Sequence, residues 1–236
     1  MSDRFFCEQP IIGNEALLAG PEAHHLLHVM RAKVGDRVML FDGSGAEFEA
    51  EVQRTARAEV ELEILARQEV DRESRRHVTL GVALPKGDRQ KVLVEKLTEL
   101  GVARLVPLST SRSVASPSGG ALEKLRRQVI EASKQCGRNR LMEITEPAPL
   151  NAFLHGFEAD CTRLIAHPSG GEPFTYASEE EPLTCAIGPE GGFDLQELEM
   201  AQKAGWRVVS LGSTVLRVET AAIAFGAIAA HGGVSG

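Results

Sequence analysis

Hydrophobic and polar positions alternate through most of the first seventy residues. Residues 36–52 hold two such runs on either side of the turn residues DGSG at 42–45, which is typical of a β-hairpin. Residues 58–70 alternate in the same way. The pattern predicts a small, mostly β, barrel-like module over residues 1–72.

Two further segments of this region have other patterns. Residues 21–36 have the spacing of a short amphipathic helix that ends near Gly35. Residues 71–77, DRESRRH, are charged and contain no aliphatic side chain. We expect this charged stretch to be a linker.

From residue 77 onward, buried apolar runs alternate with helical patterns. The predicted strands are HVTLGVAL (77–84), ARLVPLS (103–109), RLIAH (163–167), LTCAIG (183–188) and RVVSLG (207–212). The predicted helices lie at about 89–100, 121–136, 194–204 and 217–231. This order predicts an α/β domain over residues 73–236, with a mostly parallel sheet covered on both faces. Ligands of such sheets bind beyond the carboxyl ends of the strands.

The charge of the chain is unevenly distributed. The formal net charge is −7 over 236 residues. Residues 1–72 hold 8 Lys and Arg against 14 Asp and Glu, residues 73–150 hold 14 against 8, and residues 151–236 hold 4 against 11. A basic middle third is therefore compatible with a phosphate-binding face despite the acidic total, although solvated helix faces explain it equally well.

Composition excludes several classes of protein. Hydrophobic residues make up 43% of the chain, but no run approaches the roughly 18 apolar residues of a membrane span. The start, MSDRFFCEQP, lacks the apolar core of a secretory signal. Four cysteines lie scattered without a C-x-x-C pair, so neither a disulfide framework nor a zinc site is expected. These features predict a cytoplasmic protein.

The first notable turn is AIGPEGGF at 186–193, which follows a predicted strand. Gly188, Gly191 and Gly192 let another molecule approach the backbone closely, and Pro189 fixes one dihedral angle. Asp194 is placed to cap the helix that follows. A strand–helix turn without a ligand is an equally good explanation of this motif alone.

The second turn is LGSTVLRVETAAIAF at 211–225. Arg217 and Glu219 stand beside a glycine turn at the start of an alanine-rich helix, which is unusual for a purely structural segment. The chain contains neither G-x-G-x-x-G nor G-x-x-x-x-G-K-[ST], so a Rossmann or P-loop phosphate site is not expected. Within the helix, Ala222, Gly226 and Ala230 recur every four residues, which suits internal packing or a homodimer contact, with internal packing preferred.

Taken together, these motifs resemble the ribosomal RNA small subunit methyltransferase E family. The resemblance rests on both turns and on the segments RFF at 4–6, HHLLHVMRAKVGDRVMLFDGSG at 24–45, KGDRQKVLVEKLTELGVARLVPLSTSRSV at 86–114 and EASKQCGRNRL at 131–141. It covers nearly the whole chain. Lys134, Cys136 and Asn139 depart from the residues that the family more often carries.

The resemblance implies an N-terminal PUA-like, RNA-binding barrel and a C-terminal SPOUT domain with a deep trefoil knot. Knots are nearly absent from proteins, and no spacing in this sequence would have indicated one. It also implies a homodimer that binds S-adenosylmethionine and methylates N3 of one uridine in small-subunit (16S) ribosomal RNA.

Site residues carried over from the resemblance fall into two groups. Those expected around the cofactor are His167, Pro168, Ile187, Gly188, Glu190, Gly191, Gly192, Leu211, Gly212, Ser213, Leu216, Thr220 and Ala221. Arg217 and Glu219 are expected where the methyl group and the base meet. Arg217 is the candidate for stabilising the uracil anion by a charge-assisted hydrogen bond. Glu219 would either orient Arg217, the preferred role, or accept the proton.

Basic residues are the candidates for RNA phosphate contacts, because arginine and lysine position the backbone without reading sequence. They are Arg4, Arg31, Lys86, Arg89, Arg112, Arg138 and Arg140, and each is as readily explained as a solvent-exposed or ion-paired surface residue. Phe5 and Phe6 are expected in the core of an N-terminal strand rather than on a base. His24 and His28 share a helical face, but no third ligand lies nearby and no metal site is predicted.

Two other functions are compatible with the sequence. One is a related methyltransferase that acts on another RNA, such as a transfer-RNA ribose, which mapping of the modified nucleotide would reveal. The other is a non-catalytic RNA-binding or ribosome assembly factor, which titration with S-adenosylmethionine would distinguish.

Overall fold

The computed structural model describes residues 4–113, 117, 119–156, 161–168, 171–174 and 181–231. Contacts along the chain divide it into two compact units. The first comprises Met1–Glu73 and Ser133–Leu141, and the second comprises Ser74–Ala132 and Met142–Gly236. The first unit is therefore discontinuous in sequence. The predicted domains, 1–72 and 73–236, stay a prediction.

The first unit is built on a five-stranded mixed sheet. Its strands are β1 (Arg4–Phe6), β2 (Glu15–Ala19), β3 (Arg37–Phe41), β4 (Ala46–Thr55) and β5 (Glu59–Glu69). They are ordered β1-β3-β4-β5-β2, with β1 parallel to β3 and the other pairs antiparallel. The predicted hairpin is β3–β4, closed by a Phe41↔Glu47 pair. Alternating residues such as Leu40, Phe48 and Leu62 form the core with Phe5, as the period of two requires.

The predicted helix over 21–36 is shorter than expected. Helix α1 (Gly20–His24) runs into a single π-helical turn over His25–Val29, and helical structure ends there. Arg31 then adopts a left-handed φ of 58°, a conformation that ends helices and that a β-carbon disfavours. The apolar spacing beyond Met30 therefore belongs to a turn and not to a continuing helix.

A hydrogen bond and an ion pair join the second segment of the first unit, 133–141, to its first segment. Glu47 accepts 2.9 Å hydrogen bonds from Arg4 Nη1 and from Arg72 Nη1. Arg4 Nη2 also donates to Asn139 Oδ1 at 2.6 Å. Arg138 Nε donates to Glu73 Oε1 at 2.9 Å. The stretch that the sequence indicated as a linker thus carries two of these partners, Arg72 and Glu73.

The second unit is an α/β sandwich around an eight-stranded sheet. Its strands are β6 (Val78–Val82), β7 (Arg104–Ser109), β8 (Glu143–Ile144), β9 (Ala148–Pro149), β10 (Thr162–Ala166), β11 (Glu172–Pro173), β12 (Leu183–Ile187) and β13 (Arg207–Ser210). Its helices are α2 (Arg89–Glu99), α3 (Gly120–Cys136, whose last residues are counted with the first unit), α4 (Leu150–His155), α5 (Leu195–Lys203) and α6 (Val218–His231).

Strands of this sheet follow the order β11-β13-β10-β12-β6-β7-β8, β9 pairs with β7, and the pairings are parallel. The α/β class and its five principal strands and four principal helices are confirmed. The sequence missed β8, β9, β11 and α4, which are too short to show a period. The trefoil knot stays a prediction.

Helix α6 packs against α2 through its small residues. A β-carbon at Gly226 would lie 3.3 Å from the side chains of Leu97 and Val102, and Ala222 is fully buried. Of the two roles suggested for the small-residue face, the structure shows internal packing at these two positions.

Candidate functional site

Three neighbouring parallel strands bring the two glycine-containing turns together. Strand β10 lies between β12 and β13, and Ala166 near its carboxyl end pairs with Ile187 on one side and Val209 on the other. Because the strands are parallel, the loops that follow them leave the same edge of the sheet. The loops after β10, β12 and β13 therefore meet at one place.

A pocket lies at that edge and encloses about 580 Å³, including the part open to solvent. Its lining combines glycine backbone with apolar side chains: Ala166, His167, Pro168, Ile187, Gly188, Pro189, Glu190, Gly192, Leu211, Gly212, Thr214, Val215, Leu216, Val218 and Ala221. The lining includes most of the residues expected around a cofactor. Gly191, Ser213 and Thr220 are outside this lining.

Five further residues line the pocket: Pro189, Thr214 and Val215 lie within the two turns that the sequence indicated, whereas Ala166 and Val218 were not expected there. Thr214 and Val215 lie within the second turn, so the expected cofactor residues on either side of them indicated their position. Ala166 ends a strand and Val218 begins a helix. Such apolar residues are indistinguishable from core residues in a sequence.

Local contacts fix the shape of the first turn. The Gly192 N–H donates to the Pro189 carbonyl at 2.8 Å, and Gly192 has a left-handed φ of 68°. A β-carbon at Gly188 would approach the Phe193 ring to 3.1 Å. Asp194 caps α5, as predicted, and the structure adds a reciprocal capping box with Glu197. The hydrogen bond from the Glu197 N–H lowers the pKa of Asp194.

The loop after β7 holds this turn from outside. Arg112 Nη1 donates a 2.7 Å hydrogen bond to the Gly191 carbonyl, and the Ser111 N–H donates to Glu197 Oε1 at 2.8 Å. Arg112, a candidate RNA contact, therefore also contacts the turn beside the pocket.

A charged cluster of three residues lies beside the pocket. Arg89 Nη2 donates to Glu190 Oε1 at 2.9 Å, and Arg89 Nη1 lies 3.5 Å from Glu219 Oε2. Glu219 Oε2 is buried and accepts no hydrogen bond within the described residues. The sequence predicted that Glu219 would orient Arg217, but the cation that faces it is Arg89.

Arg217 has different surroundings. Its side chain is exposed, it follows the lining residue Leu216, and its carbonyl accepts the Ala221 N–H at 2.8 Å. Within the ranges described, no carboxylate forms an ion pair with Arg217. Its guanidinium is thus open to a ligand from solvent.

Some of the other candidate phosphate contacts are exposed to solvent, and others are not. Arg31, Lys86 and Arg140 are exposed, and the Arg140 guanidinium lies over Gly45, where a β-carbon would approach it to 2.8 Å. Arg4 and Arg138 are buried in the ion pairs of the first unit, with side chains 11% and 5% exposed. Because these two guanidinium groups are already bound to carboxylates inside the unit, we withdraw them as phosphate contacts.

Two other functional features are absent from the part of the chain that the structure describes. The His24 and His28 rings lie 4.6 Å apart, but no group of three metal-binding side chains was found there. Nor is any described helix both long and apolar enough to cross a membrane.

Comparison with known families adds the deciding observation. The family model described as the RNA methyltransferase domain matches residues 72–230, and the RNA methyltransferase PUA domain matches residues 18–65. A ribosomal RNA small subunit methyltransferase E from Synechocystis is 31% identical over 220 residues, which is 90% of this chain and 72% of that protein. The chain belongs to the ribosomal RNA small subunit methyltransferase E family.

Solved structures of methyltransferase E proteins and their relatives have the same fold. A methyltransferase from Legionella pneumophila, in complex with the cofactor S-adenosylmethionine, has a TM-score of 0.90, 30% identity and 97% coverage of both chains. The methyltransferase E of Neisseria gonorrhoeae, bound to S-adenosylmethionine, has a TM-score of 0.89, 28% identity and 96% coverage of both chains. These findings confirm the resemblance, the PUA-like and α/β architecture, and the enzyme class.

Proposed function

We propose that this methyltransferase E family member uses S-adenosylmethionine to methylate N3 of one uridine in small-subunit ribosomal RNA. The observation that carries the proposal is that both glycine-containing turns line one pocket, beside an exposed arginine. Relatives crystallised with S-adenosylmethionine support the choice of cofactor. The names of the curated relatives support the choice of ribosomal RNA.

The pocket suits this cofactor chemically. Apolar side chains such as Ile187, Leu211 and Leu216 offer flat contacts for an adenine ring, and glycine backbone beside them offers hydrogen-bonding groups without side-chain obstruction. Glu190 places a carboxylate in the lining, which suits a cationic ligand. When bound, the cofactor supplies an electrophilic methyl group on a positively charged sulfur.

Arg217 is the candidate for activating the base. Uracil N3 carries a proton at neutral pH and becomes nucleophilic when that proton leaves. A guanidinium that donates to a uracil carbonyl stabilises the resulting anion, and holding the base in place lowers the barrier further. Within a duplex N3 is hidden by its partner, so the target uridine must be unpaired or flipped out.

The RNA and protein partners complete the proposal. The remaining candidates for phosphate contacts are Arg89, which is partly exposed, and the exposed Arg31, Lys86, Arg112 and Arg140. We place the enzyme in the cytoplasm as a homodimer. Cys7, Cys136, Cys161 and Cys185 are free thiols, which suits a reducing compartment.

Nucleoside analysis of ribosomal RNA from cells lacking this protein is the direct test. We expect N3-methyluridine to disappear and to return when the wild-type gene is restored. Arg217→Ala should lower kcat by about 10²–10³-fold while S-adenosylmethionine affinity changes less than about twofold. Arg207→Ala, which removes an exposed arginine of β13, is the control and should leave kcat unchanged. Undiminished turnover of Arg217→Ala would remove that residue from this role.

A further inference from the structure

Arg89 stands between the wall of the pocket and the start of α6. Its Nη2 donates to Glu190, a lining residue, at 2.9 Å, and its Nη1 faces Glu219 at 3.5 Å. Glu190 lies in the loop after β12, whereas Glu219 lies in the first turn of α6, which follows β13. One side chain of α2 therefore contacts both segments that surround the candidate reaction site.

The two contacts differ in exposure. The side chains of Arg89 and Glu190 are 37% and 40% exposed, so this pair alone contributes little. Glu219 is only 13% exposed, and its Oε2, the atom nearest Arg89, is buried and accepts no hydrogen bond from a described residue. Removing Arg89 would leave this buried carboxylate without its counter-charge. The loss of such a partner destabilises a protein far more than the loss of an exposed ion pair.

The shape of the arginine side chain suits contact with two carboxylates. A planar guanidinium presents separate N–H groups to two carboxylates at once, whereas the ammonium of lysine is a single point charge. Without the shared cation, the negative charges of Glu190 and Glu219 would also repel each other. Arg89 therefore links the first turn to the start of α6.

We infer that Arg89 is a positioning residue that holds Glu190 and Glu219 in the geometry needed for cofactor binding, rather than a contact to RNA phosphate. The inference rests on the proposed function, because it takes S-adenosylmethionine as the ligand of the pocket. The Arg89 guanidinium already contacts two carboxylates. Together, Arg89, Glu190 and Glu219 carry a net negative charge, which does not attract phosphate.

Calorimetric titration with S-adenosylmethionine, without RNA, tests this role. We expect Arg89→Met to weaken binding about tenfold and Arg89→Lys about threefold, because lysine keeps the charge but not the fork. The matched control is Lys91→Met, which removes one exposed positive charge from the same helix and should bind within about twofold of wild type. Circular dichroism melting of each variant checks that it is folded. Should Arg89→Met not fold, Arg89→Lys carries the test.

A double-mutant cycle measures the coupling between Arg89 and Glu219 in cofactor affinity. General destabilisation of the protein would not produce such a coupling. In the Arg89→Met background, Glu219→Gln should cost less affinity than in wild type, or restore some, because the uncompensated carboxylate is gone. Wild-type-like cofactor affinity in Arg89→Met, with a KM for RNA that rises and depends steeply on salt, would overturn the inference in favour of a phosphate contact. The proposed function would survive that result. Wild-type protein that binds no S-adenosylmethionine would instead overturn the proposed function, and the inference with it.

Discussion

Arg112 donates a 2.7 Å hydrogen bond from Nη1 to the carbonyl oxygen of Gly191, across 79 positions of sequence. The bond joins the loop after β7 to the first turn of the pocket. A carbonyl held in this way restrains the peptide units on both sides of it. The turn is thus supported by Arg112 on one side and by Arg89, through Glu190, on another.

Arg112→Met should therefore weaken cofactor binding. Loss of one hydrogen bond from a charged donor predicts about fivefold lower affinity for S-adenosylmethionine in a titration without RNA. Arg127→Met, at an exposed position of α3, is the control. If affinity is unchanged while the KM for RNA rises, Arg112 serves as the phosphate contact that the sequence indicated, and the turn does not need it.

Gly81 in β6 cannot accept a side chain without displacing Phe153. A β-carbon there would lie 2.5 Å from Cζ of the buried Phe153 ring. Gly81→Ala should destabilise the protein by about 1–3 kcal/mol in urea unfolding. Gly120→Ala, which meets nothing within 4 Å, should be neutral or slightly stabilising.

The same clash can be relieved from the other side. In a Phe153→Leu background the cost of Gly81→Ala should shrink, because the smaller side chain leaves room for the methyl group. Strictly additive costs in the two backgrounds would show that the Phe153 ring is not the obstacle.

Glu47 is expected to give the first unit a pH-dependent stability. Hydrogen bonding by Arg72, and then by Arg4, lowers the pKa of Glu47 below its ordinary value of 4.5 although burial opposes this. A carboxyl whose pKa is lower in the folded state stabilises that state fully above its unfolded pKa. This contribution is lost as the pH falls through the lowered folded pKa.

Glu47→Gln should accordingly cost about 2 kcal/mol at neutral pH, measured by urea unfolding with circular dichroism. The difference from wild type should decline as the pH is lowered from 4.5, the ordinary glutamate value. The control is Glu49→Gln, on the same strand as Glu47, which breaks an exposed ion pair with Arg37 of β3. It should lower the free energy of unfolding much less. A deficit for Glu47→Gln that does not vary with pH would mean that its ionisation does not stabilise the fold.

Thiol reactivity should follow burial. Burial raises the pKa of Cys7 to about 12 and that of Cys185 well above its ordinary value. Very little of the Cys7 thiol is therefore ionised at pH 8, and alkylation by iodoacetamide should be very slow. Peptide mapping should show Cys136 and Cys161, which are half-buried, modified first in the native protein. Rapid labelling of Cys185 before unfolding would contradict its burial.

The α/β unit could be predicted largely from sequence because its strands are continuous apolar runs and its helices are regular. β12, LTCAI, is buried at all five positions, and such a run has few alternative explanations. The two turns could be placed at one edge because parallel strands end together. Their shared pocket follows from that rule and from the adjacency of β12, β10 and β13.

Other features depend on contacts that no local pattern reports. Arg4 and Arg138 look like surface residues in sequence, but each meets a carboxylate distant in the chain, Glu47 and Glu73. The role of Arg89 likewise depends on Glu190, which is 101 positions away. The charge of a side chain predicts that it will form an ion pair when buried. Which oppositely charged residue it meets depends on the fold.

The discontinuity of the first unit has a consequence for its synthesis. Met1–Glu73 is complete only when Ser133–Leu141 joins it, so the ribosome must add 68 residues after Glu73 before the last member exists. At about 5–20 residues per second this takes roughly 3–14 s. During that interval all five strands of the amino-terminal sheet have been made, but Arg4 and Glu47 still lack the hydrogen bonds that Asn139 will form with them.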